Sequence, residues 1–218
     1  MMLFAPLLTA ILLASAAYLC GSLPTGYLVA RQLKGIDIRE HGSGSTGATN
    51  VLRTVGKSAA LVVLLVDIVK GALPIYLVRL TSMSVPELLP AASYDWLVAV
   101  AALMAAIGHS RSVWLGFKGG KSVATSLGIL LAMMPWAALG TLLVFSVVLA
   151  ISRIVSLSSI SGAIAVSVFA IACGYPLPYC LFALVAGSYV ITRHRSNIQR
   201  LLAGTEPALG KKLQSNAE

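Results

Sequence analysis

Charged residues are scarce in this sequence, and their scarcity excludes an ordinary soluble domain. Asp, Glu, Lys and Arg make up 11% of the 218 residues, whereas about a quarter is usual in soluble domains. Hydrophobic residues make up 58% and come in long runs instead of amphipathic stripes, which indicates that a bilayer is the solvent. We therefore predict an all-α polytopic membrane protein. Residues 1–218 are expected to form a single domain, because no linker or internal repeat is visible.

Cysteine is also scarce, and the three cysteines argue against a metal centre. Cys20, Cys173 and Cys180 lie in or beside apolar runs, and no two of them have the spacing of metal ligands. We expect each thiol to pack as a small apolar group. Neither a metal nor a cofactor is expected.

Basic residues are absent before the first apolar run, so the positively charged start of a signal peptide is missing. Leu19 is too large to precede the cysteine of a lipoprotein cleavage site. This run is therefore predicted to be a retained first membrane span.

Acidic residues are few, 7 against 16 basic ones, and the net charge is +9. Such an excess suits nucleic acid, but the basic residues lie in loops between apolar runs, where membrane topology requires them. We expect membrane lipid, and no nucleic acid, around this chain.

About seven apolar segments are predicted to span the membrane, and several are shorter than the ~20 residues that cross a hydrocarbon core. Pro135 divides the stretch 122–151, which is either one kinked helix or two helices joined by a tight turn. The seven-span interpretation consists of residues 3–20, 58–80, 94–109, 122–134, 136–151, 154–173 and 177–192.

The distribution of basic residues favours two helices around Pro135. With two helices, every basic residue except Lys70 and Arg79 falls in loops on one side or in the tail. With one helix, Arg153 and the tail would move to the opposite side. The positive-inside rule then predicts a multi-pass protein of the bacterial inner membrane, with a periplasmic N-terminus and a cytoplasmic C-terminus.

The first inner loop is rich in glycine and small hydroxyl residues over 42–50 and ends near Arg53. Such a backbone can turn its N–H groups around an anion, and an arginine can fork onto phosphate oxygens. A flexible loop without a ligand is the alternative. The G-x-G-x-x-G spacing, followed by Asp67, also matches a dinucleotide fingerprint, but no strand precedes it and Asp67 lies within a span. We reject a dinucleotide fold.

The second inner loop contains Gly119, Gly120 and Lys121 ahead of an apolar run. It resembles a Walker A loop, but Leu115 stands where that motif requires its first glycine. Free N–H groups and the dipole at the start of the following helix attract an anion, and Lys121 adds a positive charge. A basic loop that only fixes topology is the alternative.

Polar residues also flank the last two spans. Serines 156–161 stand at or near the start of one span, where they cap the helix or pack against a neighbour. His194 and Asn197 follow the last span among arginines, and a continuing helix would place them on one face. Histidine is suited to proton transfer near neutral pH.

Asp67 and Lys70 are charged residues within the second span, at i, i+3. Charges inside a membrane are usually paired or functional. A structural ion pair is the first interpretation, and part of an active-site wall or ion pathway is the second.

Six segments stand in order along nearly the whole chain: Gly21–Gly26, Gly42–Arg53, Asp67–Gly71, Gly108-His109 with Phe117–Lys121, Ser156–Ile160 and Arg193–Ile198. Together they resemble the bacterial acyl-phosphate-dependent glycerol-3-phosphate acyltransferases. Two positions depart from the family pattern: Ser45-Thr46 replaces Asn-Pro, and Ser122 replaces the glycine after Gly-Gly-Lys.

This resemblance implies a seven-span enzyme with its polar active-site loops on the cytoplasmic side. It would transfer an acyl group from acyl phosphate to the 1-hydroxyl of glycerol 3-phosphate, giving lysophosphatidate and phosphate in the first acylation of phospholipid synthesis. The enzyme that produces acyl phosphate is a candidate partner.

Resemblance and chemistry together assign roles to the polar residues. His194, Asn197 and Lys121 are the candidate catalytic residues, and either His194 or a substrate phosphate accepts the hydroxyl proton. The candidate substrate-binding residues are Ser43, Gly44, Gly47, Asn50, Arg53, Gly119, Gly120 and Ser159.

Three other functions compete with this assignment. A transporter or channel for a small organic anion would suit the intramembrane charges, but no inverted repeat is visible. A membrane scaffold that binds anionic lipid would leave Gly-Gly-Lys and His-x-x-Asn without a purpose. An acyltransferase with a His-x4-Asp pair is excluded, because no histidine has Asp five residues later.

Overall fold

A computed structural model describes residues 4–210, which form ten α-helices and three short 3-10 turns. The all-α prediction is confirmed. Leu3, the first residue of the first predicted span, lies outside the described residues, as do Lys211 and Lys212, two basic residues of the tail. The helices are α1 Phe4–Ser22, α2 Thr25–Lys34, α3 Ala48–Thr54, α4 Lys57–Ser84, α5 Ala91–Ser110, α6 Val123–Met133, α7 Pro135–Ser152, α8 Val155–Ala172, α9 Leu177–Arg193 and α10 Arg195–Leu202; the 3-10 turns are Ile38–Glu40, Pro86–Leu88 and Val113–Leu115.

Each predicted span corresponds to one apolar helix, namely α1 and α4 to α9. Helices α6 and α9 have only 11 and 17 residues, so α6 is about 16 Å long at 1.5 Å per residue. Within residues 4–210, five helical segments are long and apolar enough to cross a membrane: Ala5–Lys34, Lys57–Ser84, Ala91–Leu115, Pro135–Ser152 and Val155–Ala172. The chain is thus a multi-pass membrane protein, while the count of seven spans stays a prediction.

The division at Pro135 is confirmed. Helix α6 ends at Met133, Met134 leaves the helical conformation with φ −138°, and Pro135 is the first residue of α7. Proline suits a first helical position because the N–H it lacks has no partner there. A single helix over 122–151 is therefore wrong.

Six of the helices close into a ring in the order α4, α6, α7, α8, α9 and α5, and α1 packs outside against α4 and α5. Helices α4 and α6 approach most closely at two glycines. A Cβ added to Gly71 would overlap the carbonyl of Thr125, and one added to Gly128 would overlap that of Ile68. Small residues permit this backbone contact, which is typical of helix pairs in membranes.

The intramembrane charges form the predicted ion pair. Lys70 Nζ lies 2.7 Å from Asp67 Oδ1, and both side chains are buried. The same ammonium group donates to the carbonyl oxygen of Leu23 at 2.7 Å. The pair therefore ties α4 to the chain that follows α1.

Candidate active site

A cavity of about 600 Å³ lies inside the ring of helices. Side chains of α4, α6, α7, α8 and α9 line its apolar part, which runs along α9 from Val190 to Phe182, a distance of about 12 Å. Leu61 and Leu142 line it as well and are 55% and 39% exposed. The cavity thus joins a polar end to an apolar interior.

The polar end consists of Ser43, Arg53, Lys121, His194, Asn197 and Glu206, all of which line the cavity. They come from the glycine loop, α3, the loop before α6, the junction of α9 and α10, and the C-terminal segment. The fold thus brings polar side chains from five separate segments together at one part of the cavity.

Asn50 organises the glycine loop. Its side-chain amide Nδ2 donates to the carbonyls of Ile38, His41 and Ser45 at 3.2, 2.9 and 2.9 Å, and its Oδ1 accepts from the N–H of Ser43 at 2.9 Å. The side-chain amide of Asn50 therefore shapes the loop through both its nitrogen and its oxygen. Its predicted contact with substrate stays a prediction.

Lys121, Asn197 and Glu206 form a chain of hydrogen bonds across the polar end. Lys121 Nζ donates to Asn197 Oδ1 at 2.5 Å, and Asn197 Nδ2 donates to Glu206 Oε1 at 2.6 Å. Ser156 Oγ donates to the same Glu206 oxygen at 2.7 Å, while Arg200 Nε donates to Oε2 at 2.7 Å. The carboxylate thereby fixes the amide that orients Lys121.

Burial controls the charge of this network. It lowers the pKa of Lys121 to about 8, assisted by the positive charges of Arg200, Arg193 and Arg53, while Glu206 acts in the opposite direction. For Glu206, burial raises the pKa, but hydrogen bonds from Asn197, Ser156 and Arg200 and the charge of Arg200 outweigh it, so the pKa lies below its usual value. At neutral pH the carboxylate is ionised and Lys121 is still mostly protonated.

His194 is buried between α9 and α10 and is neutral at pH 7. Its pKa is lowered to about 4, mainly by burial and also by the charges of Lys121 and Arg193. The hydrogen bond to Val190 and the charge of Glu206 act in the opposite direction. Its Nδ1 lies 2.8 Å from the carbonyl oxygen of Val190. Since a carbonyl oxygen only accepts, Nδ1 carries the proton, and Nε2 keeps a lone pair for a hydroxyl.

The C-terminal segment crosses the polar end. The Arg53 guanidinium Nη2 donates to the carbonyl of Pro207 at 3.3 Å, and the N–H of Leu209 donates to the carbonyl of Arg153 at 2.7 Å. These bonds join α3, the turn between α7 and α8, and the tail. They bring Glu206 into a site that begins more than 150 residues earlier in the chain.

Most predicted site residues meet at the cavity, and three do not line it. The lining includes Ser43, Gly47, Asn50, Arg53, Lys121, Ser159, His194 and Asn197. Gly44, Gly119 and Gly120 lie beside it, and their contact with substrate stays a prediction. The single continuing helix expected to carry His194 and Asn197 is wrong, because α9 ends at Arg193 and α10 begins at Arg195.

The serines that begin α8 do not cap it. Ser158 and Ser159 donate to carbonyls four residues earlier, at 2.9 and 2.8 Å, and the residue before the helix makes no side-chain capping bond. Ser156 instead binds Glu206, which sequence reasoning missed. The signal for Glu206 is weak: it is an isolated acidic residue in a basic tail.

Comparisons with known proteins agree with this geometry. The sequence profile of the family described as glycerol-3-phosphate acyltransferase matches residues 11–204. The chain is 57% identical to a glycerol-3-phosphate acyltransferase of Crocosphaera subtropica over 204 residues, covering 93% of this chain and 95% of the relative. It is 59% identical to one of Nostoc sp. over 209 residues, covering 93% and 92%.

Two solved structures resemble the chain closely. Both are crystal structures of PlsY (YgiH), an integral membrane glycerol 3-phosphate acyltransferase. The glycerol 3-phosphate form has a TM-score of 0.83 at 39% identity, and the lysophosphatidic acid form has 0.80 at 38%. Each covers 93% of this chain and 96% of the other. The chain therefore belongs to the glycerol-3-phosphate acyltransferase family.

Proposed function

We propose that this protein transfers a fatty acyl group from acyl phosphate to the 1-hydroxyl of glycerol 3-phosphate, releasing lysophosphatidate and inorganic phosphate. One observation carries the proposal: a polar end with cationic groups and a neutral histidine is continuous with an apolar interior about 12 Å long. A phosphorylated headgroup and an alkyl chain fit the two parts of such a cavity. Family membership supports the acceptor, and the resemblance to acyl-phosphate-dependent enzymes supports the donor.

Acyl phosphate is an activated donor, so no covalent enzyme intermediate is required. The acceptor hydroxyl oxygen attacks the carbonyl carbon, and the bond from that carbon to the phosphate oxygen breaks with its electron pair on phosphate. Arg53 and Lys121 hold the phosphoryl groups and offset the charge that develops as phosphate departs. Asn197, fixed by Glu206, keeps the Lys121 ammonium group in place.

Two groups are candidates for the hydroxyl proton. His194 presents the lone pair of Nε2, but its pKa of about 4 makes it a weak base. Phosphate, with a second pKa near 6, is the stronger acceptor. We infer that His194 orients glycerol 3-phosphate by accepting a hydrogen bond from its 2-hydroxyl, while a substrate phosphate oxygen takes the proton of the attacking 1-hydroxyl.

The purified protein in detergent tests the reaction directly. Labelled glycerol 3-phosphate is supplied with acyl phosphate, and acyl-CoA serves as a parallel donor. We expect labelled lysophosphatidate from acyl phosphate alone. Product from acyl-CoA alone would contradict the proposed donor, and no product from either donor would contradict acyl transfer by this chain.

His194→Ala separates orientation from proton transfer. We expect kcat at saturating glycerol 3-phosphate to fall about 10²-fold, because a misplaced hydroxyl loses its attack geometry. The remaining activity should keep the pH dependence of the unchanged protein. If the activity of the variant no longer fell at low pH as it does in the unchanged protein, His194 itself would be the titrating base.

We also propose that the polar end faces the cytoplasm of a bacterial inner membrane, because the basic loops gather there. Cys173 is exposed and follows α8 at the opposite end of the helix from Ser156. A membrane-impermeant maleimide should label Cys173 in right-side-out vesicles and a cysteine placed at Lys118 in inverted ones. The reverse pattern would overturn this orientation.

A further inference from the structure

A second cluster of buried polar side chains lies between the ring helices next to the lysine loop, which we define as residues 119–122. Besides its ion pair with Lys70, Asp67 Oδ1 lies 3.8 Å from Nδ1 of His109. The same nitrogen lies 3.1 Å from the hydroxyl of Thr125. The Thr125 hydroxyl of α6 thus holds the His109 ring, and the Asp67 carboxylate of α4 lies near it without a hydrogen bond. The reaction described above gives His109 no role.

His109 contacts the lysine loop directly. The N–H of Gly120 donates to the carbonyl of His109 at 3.2 Å. A Cβ added to Gly120 would overlap Nε2 of the His109 ring, so the imidazole lies against the backbone immediately before Lys121. Any rotation of that ring changes the space available to Gly120.

The opposite side of the loop is held by α9. Arg193 Nη2 lies 3.3 Å from the carbonyl of Gly120 and 3.5 Å from that of Gly119. The loop backbone therefore lies between His109 of α5 and Arg193 of α9, and it contacts both. Because Arg193 directly precedes His194, these contacts couple the position of Lys121 to that of the candidate catalytic histidine.

We propose that His109 is a positioning residue: Thr125 fixes its ring, the ring supports Gly120, and this support sets the reach of Lys121 into the cavity. The effect on catalysis rests on the proposed function of Lys121, while the effect on the loop does not. A displacement of about 1 Å at a catalytic group is enough to lower a rate about 10²-fold.

Three variants test the proposal. His109→Ala removes the support, His109→Gln keeps a polar side chain without the ring, and Thr125→Val removes the hydroxyl partner at nearly constant volume. Thr81→Val, near the far end of α4, is the control because the exposed hydroxyl of Thr81 bonds only the carbonyl four residues earlier. Thermal unfolding identifies any variant that fails to fold, and Thr125→Val carries the test if both His109 variants do.

The first measurement is kinetic. We expect kcat to fall about 10²-fold in His109→Ala and by a smaller factor in Thr125→Val, with Thr81→Val unchanged. The KM for glycerol 3-phosphate should change less than kcat, because Arg53 and the glycine loop still bind phosphate. Equal losses in kcat for Thr81→Val and Thr125→Val would contradict a specific role of the hydroxyl.

The second measurement follows Lys121 without using activity. Acylation of lysines by a small reagent, resolved by peptide mass spectrometry at several pH values, reports the titration of Lys121 beside its exposed neighbour Lys118. We expect the midpoint for Lys121 to move from about 8 towards 10.5 in His109→Ala, since a released side chain regains water. Glu206, Arg200, Arg193 and Arg53, which face Lys121, are unchanged in that variant.

The two measurements separate the two claims. An unchanged Lys121 titration in every folded variant would overturn the positioning role, whatever happens to kcat. A shifted titration together with normal turnover of Lys121→Ala would retain the positioning role and overturn the proposed function of Lys121. A shifted titration with a parallel loss of kcat supports both.

Discussion

The glycine loop, residues 42–47, and the lysine loop flank the same cavity but are held in different ways. The glycine loop is organised by one nearby side chain, Asn50, whose bonding partners all lie within 12 residues. The lysine loop depends on His109 and Arg193, which lie on two other helices, α5 and α9. One loop is therefore a local structure, and the other is a product of helix packing.

This difference predicts which substitutions should disturb the conformation of each loop. A substitution within the glycine loop should act on that loop alone, whereas the lysine loop should respond to changes far away in sequence. Because His109 lies in the apolar helix α5, the lysine loop also links the helix bundle to the polar end. Four predictions test this contrast, beginning with the largest effect.

Removal of the cation from either side of the cavity should have the largest effect. We expect Lys121→Ala and Arg53→Ala each to lower kcat/KM by roughly 10³-fold, because each leaves a phosphoryl charge without its partner. Lys118→Ala, an exposed lysine three residues before Lys121, is the matched control and should keep full activity. Near-normal turnover in a folded Lys121 or Arg53 variant would remove that residue from the site.

Asn50→Asp should disrupt the glycine loop and spare the lysine loop. The substitution replaces an amide donor with a carboxylate oxygen that faces the carbonyls of Ile38, His41 and Ser45. Loss of the hydrogen bonds donated by the two N–H groups of Nδ2, at about 1 kcal/mol each, predicts a destabilisation of about 2 kcal/mol, measured as a lower thermal midpoint. The titration of Lys121 should stay near pH 8; a shift there would show that the two loops are coupled.

Raising the pH should weaken phosphate binding through the lysine loop only. The Lys121 pKa of about 8 is below its usual value, so the ammonium form that binds phosphate is lost as pH rises through 8. Glycerol 3-phosphate becomes a dianion above its own pKa near 6. Affinity measured by calorimetry should therefore be highest between about 6 and 8 and fall up to tenfold per pH unit above that.

Lys121→Arg provides the comparison for this titration, because a guanidinium group stays charged over the whole range. In that variant the alkaline loss of affinity should disappear, even if affinity at pH 7 is lower. Persistence of the same alkaline limb would assign it to a group other than Lys121.

Ser122→Gly should have the smallest effect. Ser122 has φ +62°, a left-handed conformation that costs a side-chain-bearing residue about 1 kcal/mol. Its hydroxyl donates to the carbonyl of Ala106 at 2.6 Å and also contacts Ser110, which offsets that cost. We expect a change in unfolding free energy below about 1 kcal/mol. Gly116→Ser is the contrast: at φ +62° with no neighbour it should lose about 1 kcal/mol.

The departure at Ser122 is explained by these contacts. The left-handed conformation accounts for the glycine that related sequences carry at this position by resemblance, and the two hydroxyl contacts account for its replacement by serine here. The sequence shows the substitution, but the compensating partners lie on α5 and become visible only in the folded chain.

The amino-acid sequence by itself determined the features that depend on short-range chemistry. Apolar runs marked the spanning helices, Pro135 separated α6 from α7, and the i, i+3 spacing paired Asp67 with Lys70. Resemblance to a known family identified Lys121 and His194 as site residues before any geometry was available.

Only the tertiary structure decided how distant residues divide the work. Glu206 reaches Asn197 because the tail returns across the cavity, and His109 reaches Gly120 because α4, α5 and α6 pack together. The spacing of residues along the sequence does not predict such contacts, because they depend on how whole helices pack together. The sequence therefore determined which chemistry was available, and helix packing decided which side chains line the cavity and which hold their neighbours in place.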